Sequence, residues 1–456
     1  MNPLVNTEAA PVSQSERIIL IDSLRGLALL GILMMNIPFF AIPDPASFNP
    51  FVRNEMGTIN GKTWYFIEWF LEGSQRAIFS MLFGAGILLF ISRLQKRTEG
   101  MAPAEFFLRR QLWLLVFGLI NAFVLLWPGD ILFEYAICGI IVFLFHKSSV
   151  KTLLIAAGVS LLLMTARENR DLYHAKSVIA TGEVVARLDT TKVKLTDQQK
   201  DDLAAMTTFK NRHTKESRLK EMEKNQRQIS GNYSSVYQNL SDLSASLEFQ
   251  YGYYGLWDVL LFMFIGMAFF KSGILTGKAP TKVYWWLFIG GLGSGLIVSY
   301  FRLSPLLHYN YNRFDITKNI PMEFYEISRT LRSLGIYGLI MLMYKSGWFK
   351  WLFALVRPVG QMAFTNYLMQ SFMCGLFFYG IGFGWFGQLQ RYQIYYVVAA
   401  IWLIEIAWSH AWLYYFRFGP LEWLWRSLTY WKMQPMKKTI DKNKLSLVTQ
   451  SLPERV

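Results

Sequence analysis

Charged side chains inside long apolar stretches are the residues of this chain best suited to chemistry, because an ion in lipid is costly and is usually kept for function. Asp22 and Arg25 are three residues apart near the N-terminus and share one face of a predicted helix. Arg109 and Arg110 follow in an arginine-rich loop. These side chains predict a basic cradle for a phosphate-bearing donor. A paired, anchored helix start is the alternative for Asp22 and Arg25.

A pair of carboxylates is expected near the opposite face of the membrane. Asp130 and Glu134 are four residues apart at the start of an apolar segment, so they share a helical face. A buried carboxylate pair can act as a general base, which makes both residues catalytic candidates. Asp130 is equally explained as a helix cap, which is the commoner role for an aspartate at this position.

Amides and one further arginine are expected to line a cavity beside this carboxylate pair. They are Asn36, Arg76, Asn366 and Gln370. Substrate binding is the functional interpretation, and hydrogen bonding between helices is the alternative for the amides. The five histidines and two cysteines show no metal-ligand spacing, so no metal site is predicted.

Apolar segments of membrane-spanning length must position all of these side chains. The chain has 456 residues, of which 53% are hydrophobic and only 17% charged. Apolar runs near 20 residues recur, so the sequence predicts an all-α, polytopic integral membrane bundle of about ten transmembrane helices. The predicted parts are residues 1–166 with five spans, a hydrophilic helical insert at 167–250, residues 251–418 with five spans, and an interfacial amphipathic helix with a basic tail at 419–456.

The net charge of +15 is explained by basic residues in alternate loops, so no nucleic-acid partner is predicted. Basic loops remain in the cytoplasm, which puts both termini there and the insert outside. Gly26, beside Arg25, allows another helix to approach closely. The expected partners are the lipid bilayer and a small-molecule or glycan acceptor, and a homo-oligomer is left open.

Five motifs carry a resemblance to a known family. They are 22–36 (DSLRGLALLGILMMN), 79–86 (FSMLFGAG), 127–132 (WPGDIL), 362–367 (MAFTNY) and 419–426 (GPLEWLWR). These motifs occur in the same order as in the family that the chain resembles, the YeiB-like family of bacterial multispanning membrane proteins, a domain of unknown function. That resemblance implies a location in the bacterial cytoplasmic (inner) membrane.

The chain is also similar, more distantly, to transmembrane acyltransferases. This similarity implies transfer of an acyl group from cytoplasmic acyl-CoA to an acceptor outside. Those enzymes that modify surface sugars place a histidine where this chain has Asn36, and an amide is not a base at neutral pH. Asp130 or Glu134 would have to take that role. The alternatives are a transporter or exporter without covalent chemistry and a scaffold or sensor that uses the insert.

Overall fold

The regular secondary structure in the described part of the protein is helical. The computed structural model describes residues 18–97, 100–189, 191–192, 194–250 and 252–438, without the side chains of residues 253 and 254. In these ranges the only strand-like pairing is an isolated bridge between Phe416 and Lys437. The prediction of an all-α membrane bundle is confirmed.

Six helices precede the insert or enter it. They are α1 (Ile19–Ala41), α2 (Ile59–Phe66), α3 (Ser74–Gln95), α4 (Ala102–Phe123), α5 (Leu132–Phe143) and α6 (Val150–Ala186). A π-helical turn, Ile67–Leu71, continues α2, and the chain then breaks at Glu72 and Gly73 before α3 begins. The second span is therefore discontinuous.

The insert adds three helices, α7 (Asp197–Arg212), α8 (Lys215–Ile229) and α9 (Tyr233–Ala245). Each begins where a polar side chain accepts a hydrogen bond from the first helical turn. These cap residues are Thr196, Thr214 and Asn232. Such caps satisfy backbone N–H groups that have no partner within the helix.

Nine helices follow the insert. They are α10 (Gly252–Lys271), α11 (Thr281–Trp286), α12 (Gly293–His308), α13 (Arg313–Asn319), α14 (Tyr325–Ser346), α15 (Lys350–Gln361), α16 (Ala363–Phe378), α17 (Arg391–Tyr415) and α18 (Pro420–Tyr430). A π-helical segment, Leu287–Leu292, joins α11 to α12.

The described residues contain fewer helices of membrane-spanning length than the ten expected. Among the described residues six helices are long and apolar enough to cross, and eight if each of two bent helix pairs counts as one span. The expected count of ten is not confirmed. The helices α5 and α16 have only 12 and 16 residues, short of the ~20 that a bilayer requires.

The helix α6 extends well past the predicted membrane boundary at residue 166. It has 37 residues and runs on into the insert without interruption. The composition becomes polar after residue 166, but no glycine or proline lies between residues 159 and 181 to end the helix.

The loops gather at two opposite ends of the bundle. At the basic end, the Lys271 ammonium donates to the His146 carbonyl (2.9 Å), and the Lys345 ammonium donates to the Ala279 carbonyl (2.9 Å). At the other end, called the insert end, α8 meets the loop after α1, where the Asp44 N–H donates to Asn225 (3.1 Å). The basic loops and the insert thus lie on opposite sides.

Glycines allow the central helices to touch backbone to backbone. A Cβ added at Gly26 would lie 2.1 Å from the Val356 carbonyl oxygen of α15. The close approach predicted at Gly26 is therefore present. A Cβ at Gly84 of α3 would lie 2.3 Å from the Met263 carbonyl oxygen of α10. Small residues at such crossings are typical of membrane helices.

Candidate functional site

Two cavities lie on opposite sides of the bundle, and together they are lined by five of the ten predicted site residues. The basic-end cavity has two adjoining lobes of about 170 and 140 Å³. The insert-end cavity is larger, about 680 Å³.

Four arginines line the basic-end cavity, each from a different helix. They are Arg25 of α1, Arg93 of α3, Arg110 of α4 and Arg426 of α18. Asp22 also lines it and lies 3.5 Å from the Arg25 guanidinium. The predicted roles of Asp22, Arg25 and Arg110 therefore coincide with one cavity. The arginine-rich loop that is expected to bind phosphate includes Arg93, whereas the sequence places Arg426 only on the interfacial helix.

Aromatic rings hold Arg110 in place at the cavity wall. Its guanidinium lies 3.7 Å from the centre of the Trp425 ring and 5.1 Å from that of Phe90. The Trp425 indole N–H donates to the Arg110 carbonyl (3.0 Å), which fixes α18 against α4. A guanidinium stacked in this way is pre-organised to meet a flat or anionic group.

Glu422 lines the same cavity, but its carboxylate is occupied by the start of α16. It accepts hydrogen bonds from the backbone N–H groups of Phe364 (2.7 Å) and Thr365 (3.1 Å) and from the Thr365 hydroxyl (2.5 Å). Its negative charge therefore compensates a helix N-terminus. The four arginines outnumber the two acids of the lining, which favours an anionic ligand.

Arg109 lies outside this cavity, contrary to the expectation that it holds the donor. Its guanidinium pairs with Glu105, one turn back on α4, and donates to the Thr429 carbonyl (3.3 Å). Neighbouring residues on a helix point about 100° apart, so Arg109 and Arg110 cannot face the same way.

The insert-end cavity is built around the break in the second span. Glu68 and Glu72 line it, together with Arg76 and with Arg302 and Arg329 from α12 and α14. Gly73 has a φ of +70°, which glycine adopts without strain, and this lets α3 begin beside the cavity. Asn36 at the end of α1 also lines the cavity, as predicted for a substrate-contacting residue.

Arg332 donates hydrogen bonds to backbone carbonyls that the helix break leaves without partners. Its guanidinium donates to the carbonyls of Glu68 (3.0 Å), Trp69 (3.0 Å) and Glu72 (2.6 Å), and it is fully buried. Water cannot solvate these carbonyls within the membrane, so irregular backbone requires such a donor. The sequence alone does not show this role, because the contacts join residues 260 or more positions apart.

The charged groups near the break form ion pairs between distant segments. Glu68 pairs with Arg302 (2.6 Å), and Asp258 of α10 pairs with both Arg76 and Arg329. A spacing of four residues would let Glu72 pair with Arg76 on one helix, but the chain break at Glu72 and Gly73 interrupts that spacing, and the contacts above form instead. The Tyr325 hydroxyl donates to Glu72 instead (2.7 Å).

Asp130 and Glu134 do not form the expected carboxylate pair. Asp130 accepts hydrogen bonds from the Asn121 amide (2.7 Å) and from the Phe133 N–H (2.9 Å), so it caps α5. Glu134 approaches Arg76 at 4.0 Å. Neither side chain lines either cavity.

Asp130 nevertheless lies in the wall that separates the cavities. Gly129 and Ile131 line the insert-end cavity, whereas Leu132 lines the basic-end cavity. Tyr367 also lines the basic-end cavity, and its hydroxyl accepts from the Ile131 N–H (3.2 Å). One tyrosine side chain therefore separates the basic-end cavity from backbone that lines the other cavity.

Asn366 and Gln370 join helices and line neither cavity. The Asn366 amide donates to Ser409 (3.0 Å) and accepts from the Trp408 indole (2.7 Å). The Gln370 amide donates to Glu405 (3.1 Å). Interhelical hydrogen bonding, the alternative interpretation, describes both amides, and we leave them out of the proposed site.

The fold and the two cavities define a multispanning helical membrane protein with one polar site at each end. The matching family description is "Protein of unknown function (DUF418)", over residues 269–432. The "Uncharacterized protein YxaH" of Bacillus subtilis is 29% identical over 94% of this chain and 98% of its own. The "Uncharacterized protein YeiB" of Escherichia coli is 29% identical over 91% of this chain and 96% of its own. No solved structure matches.

The family match and the two relatives support the resemblance to the YeiB-like family, and the matching description gives its function as unknown. The alignments with these relatives extend over 94% and 91% of the chain. The printed names of the relatives state no activity.

Proposed function

We propose that the protein is a transmembrane acyltransferase of the bacterial cytoplasmic membrane. It would move an acyl group from a cytoplasmic CoA donor to an acceptor on the outer side. The basic end and both termini would lie in the cytoplasm, and the insert outside, because basic loops are retained inside.

The wall between the two cavities is the observation that supports this proposal. A donor cavity at one end and an acceptor cavity at the other meet across Tyr367 and the backbone of residues 129–132. This arrangement suits transfer of a small group between two molecules that remain on opposite sides. A soluble enzyme with both substrates on one side would not need two cavities separated by a wall.

The basic-end cavity fits the chemistry of the donor. CoA carries several phosphate charges, for which Arg25, Arg93, Arg110 and Arg426 supply guanidinium donors. The deeper lobe is walled by phenylalanines and suits an acyl chain. Its rings are Phe79, Phe83, Phe107 and Phe364.

The reaction would take place in the wall. An acceptor oxygen or nitrogen attacks the thioester carbonyl, the carbon–sulfur bond breaks, and the acyl group moves to the acceptor. The proton that the acceptor gives up would pass to Asp130 or Glu134 and return to the leaving CoA thiolate. Asp130 is the better placed, because Gly129 and Ile131 line one cavity and Leu132 lines the other.

Thermal stability of the purified protein tests this proposal. Acetyl-CoA and CoA should stabilise it by about 2.7 kcal/mol at a ligand concentration of 100 Kd, while ATP at the same concentration should not. A radiolabelled acetyl donor should then label an acceptor only in membranes that contain the protein. Absence of CoA-specific stabilisation at millimolar concentrations would exclude the enzyme.

A transporter is the second candidate, and the break at Glu72 and Gly73 favours it. Broken helices whose ends face a polar cavity are typical of transport sites. The Arg332 guanidinium donates to carbonyls at the C-terminal end of the first half of this span, and the second half, α3, begins beside the cavity. Counterflow uptake in liposomes, with no acyl transfer, would support this alternative.

A further inference from the structure

The two walls of the insert-end cavity differ in chemistry, and this difference defines a ligand class. We propose that the cavity binds a glycolipid, with its sugar head group on the charged wall and its aliphatic chain on the apolar wall. The inference rests on the proposed function for one point only, the role of this glycolipid as acyl acceptor.

The charged wall has acids and bases in pairs, so it offers little net charge to an ionic head group. Glu68 pairs with Arg302 at 2.6 Å, and Arg329 pairs with Glu326 at 2.5 Å. An anionic head group would meet Glu68 and Glu72 at the same wall. Hydroxyl groups both donate and accept hydrogen bonds, so a polyhydroxylated group suits such a mixed surface.

Two donors on this wall lack a protein partner. The Nε atoms of Arg302 and Arg329 are buried and donate to no described protein atom. Their side chains are 10% and 2% exposed, and both residues line the cavity. A buried donor without an acceptor is unfavourable, so these guanidinium groups would gain by rotating an N–H toward an oxygen of a ligand in the cavity.

The apolar wall is provided by α1 and by the insert. Leu240, Leu243 and Leu247 lie at helical spacing on one face of the segment around α9 and line the cavity. Leu243 and Leu247 are 38% and 40% exposed, which is unfavourable for leucines unless something covers them. Ile32 and Met35 of α1 line the same cavity and add further apolar surface for an aliphatic chain.

The size and place of the cavity agree with such a ligand. Its volume of about 680 Å³ falls within the range of small-molecule sites, roughly 300–1,000 Å³. Two exposed aromatic residues, Phe39 and Phe48, line it with their rings 4.6 Å apart. These two rings lie at the end of an apolar surface along α1, and a lipid chain could follow this surface from the membrane into the cavity.

Photolabelling tests the inference directly. The full-length protein in nanodiscs would be irradiated with a glucosyl lipid that carries a diazirine in its acyl chain. We expect mass spectrometry to locate the label on α9. In Leu243→Asp the label should fall at least about tenfold, because a charge replaces apolar contact worth more than 1.4 kcal/mol.

Two controls make the test decisive. Tyr237→Asp changes a residue on the same helix that is also 38% exposed but does not line the cavity, so its labelling should be retained. Equal loss in both variants would overturn the apolar-wall assignment. A phosphatidylcholine with the same photoreactive chain should label α9 weakly, and equal labelling by it would overturn the sugar assignment. CoA stabilisation measured in parallel separates this inference from the proposed function, since each can fail alone.

Discussion

Neighbouring Arg109 and Arg110 provide a matched test of the donor site. We expect Arg110→Gln to weaken CoA binding and Arg109→Gln to leave it unchanged. A hydrogen bond to a charged group contributes about 1.5–3 kcal/mol, so loss of one guanidinium contact should raise the Kd for CoA roughly 10- to 150-fold. Arg109 lines neither lobe and pairs with Glu105, so its removal should change the Kd less than about twofold.

The assay is calorimetric titration of CoA into both purified variants, with size-exclusion profiles to verify folding. Arg110→Lys keeps the charge but loses the stacking on Trp425 at 3.7 Å, so its Kd should fall between those of wild type and Arg110→Gln. The reasoning would be refuted if Arg109→Gln bound CoA as weakly as Arg110→Gln, or if neither differed from wild type.

Three further predictions concern stability. Arg332→Met should lower the free energy of unfolding by at least about 3 kcal/mol, since three carbonyls lose their donor. Arg313→Met, at an exposed arginine, is the control. Equal midpoints of the two variants in thermal denaturation would contradict the prediction. Gly266→Val should cost at least about 2 kcal/mol, because a Cβ there lies 1.9 Å from the Met81 carbonyl oxygen, whereas Gly158→Val meets nothing within 4 Å and should be tolerated. Burial in the insert lowers the pKa of His213 below its usual 6.5, so its stabilising effect is complete above pH 6.5 and is lost as pH falls below that value. Limited proteolysis of α7 and α8 should therefore speed up below pH 6.5 in wild type but not in His213→Phe, and identical profiles would refute this.

The helical membrane fold could be predicted because membrane helices have long apolar runs, whereas the expected count of ten spans is not confirmed. The insert could be separated from them by its polar composition, but the end of α6 could not. Helix continuation depends on backbone propensity, and residues 159–181 contain nothing that stops a helix.

The two-sided distribution of polar groups was also visible in the sequence, whereas their partners were not. Spacing suggested that Glu72 pairs with Arg76, yet Arg76 pairs with Asp258, 182 residues away. Local spacing describes one helix, and contacts between helices depend on packing that spacing does not contain. The break at Gly73 adds a further change of direction, visible only in the backbone.

The surroundings of Arg109 and Arg110 show the same limit of prediction from sequence. A sequence motif gives both residues the same charge and nearly the same position, but the helix directs them to different surroundings. Only the contact of Arg110 with Trp425, 315 residues away, shows which of them faces the cavity.

The length of α6 has a mechanical consequence. Its 37 residues form one rod about 56 Å long, at 1.5 Å per residue, which begins beside the basic loops and ends within the insert. A tilt of about 10° at the basic end would swing the far end by about 10 Å on this geometry. The rod would act as a lever, so that a movement at the basic end is transmitted directly to the helices of the insert.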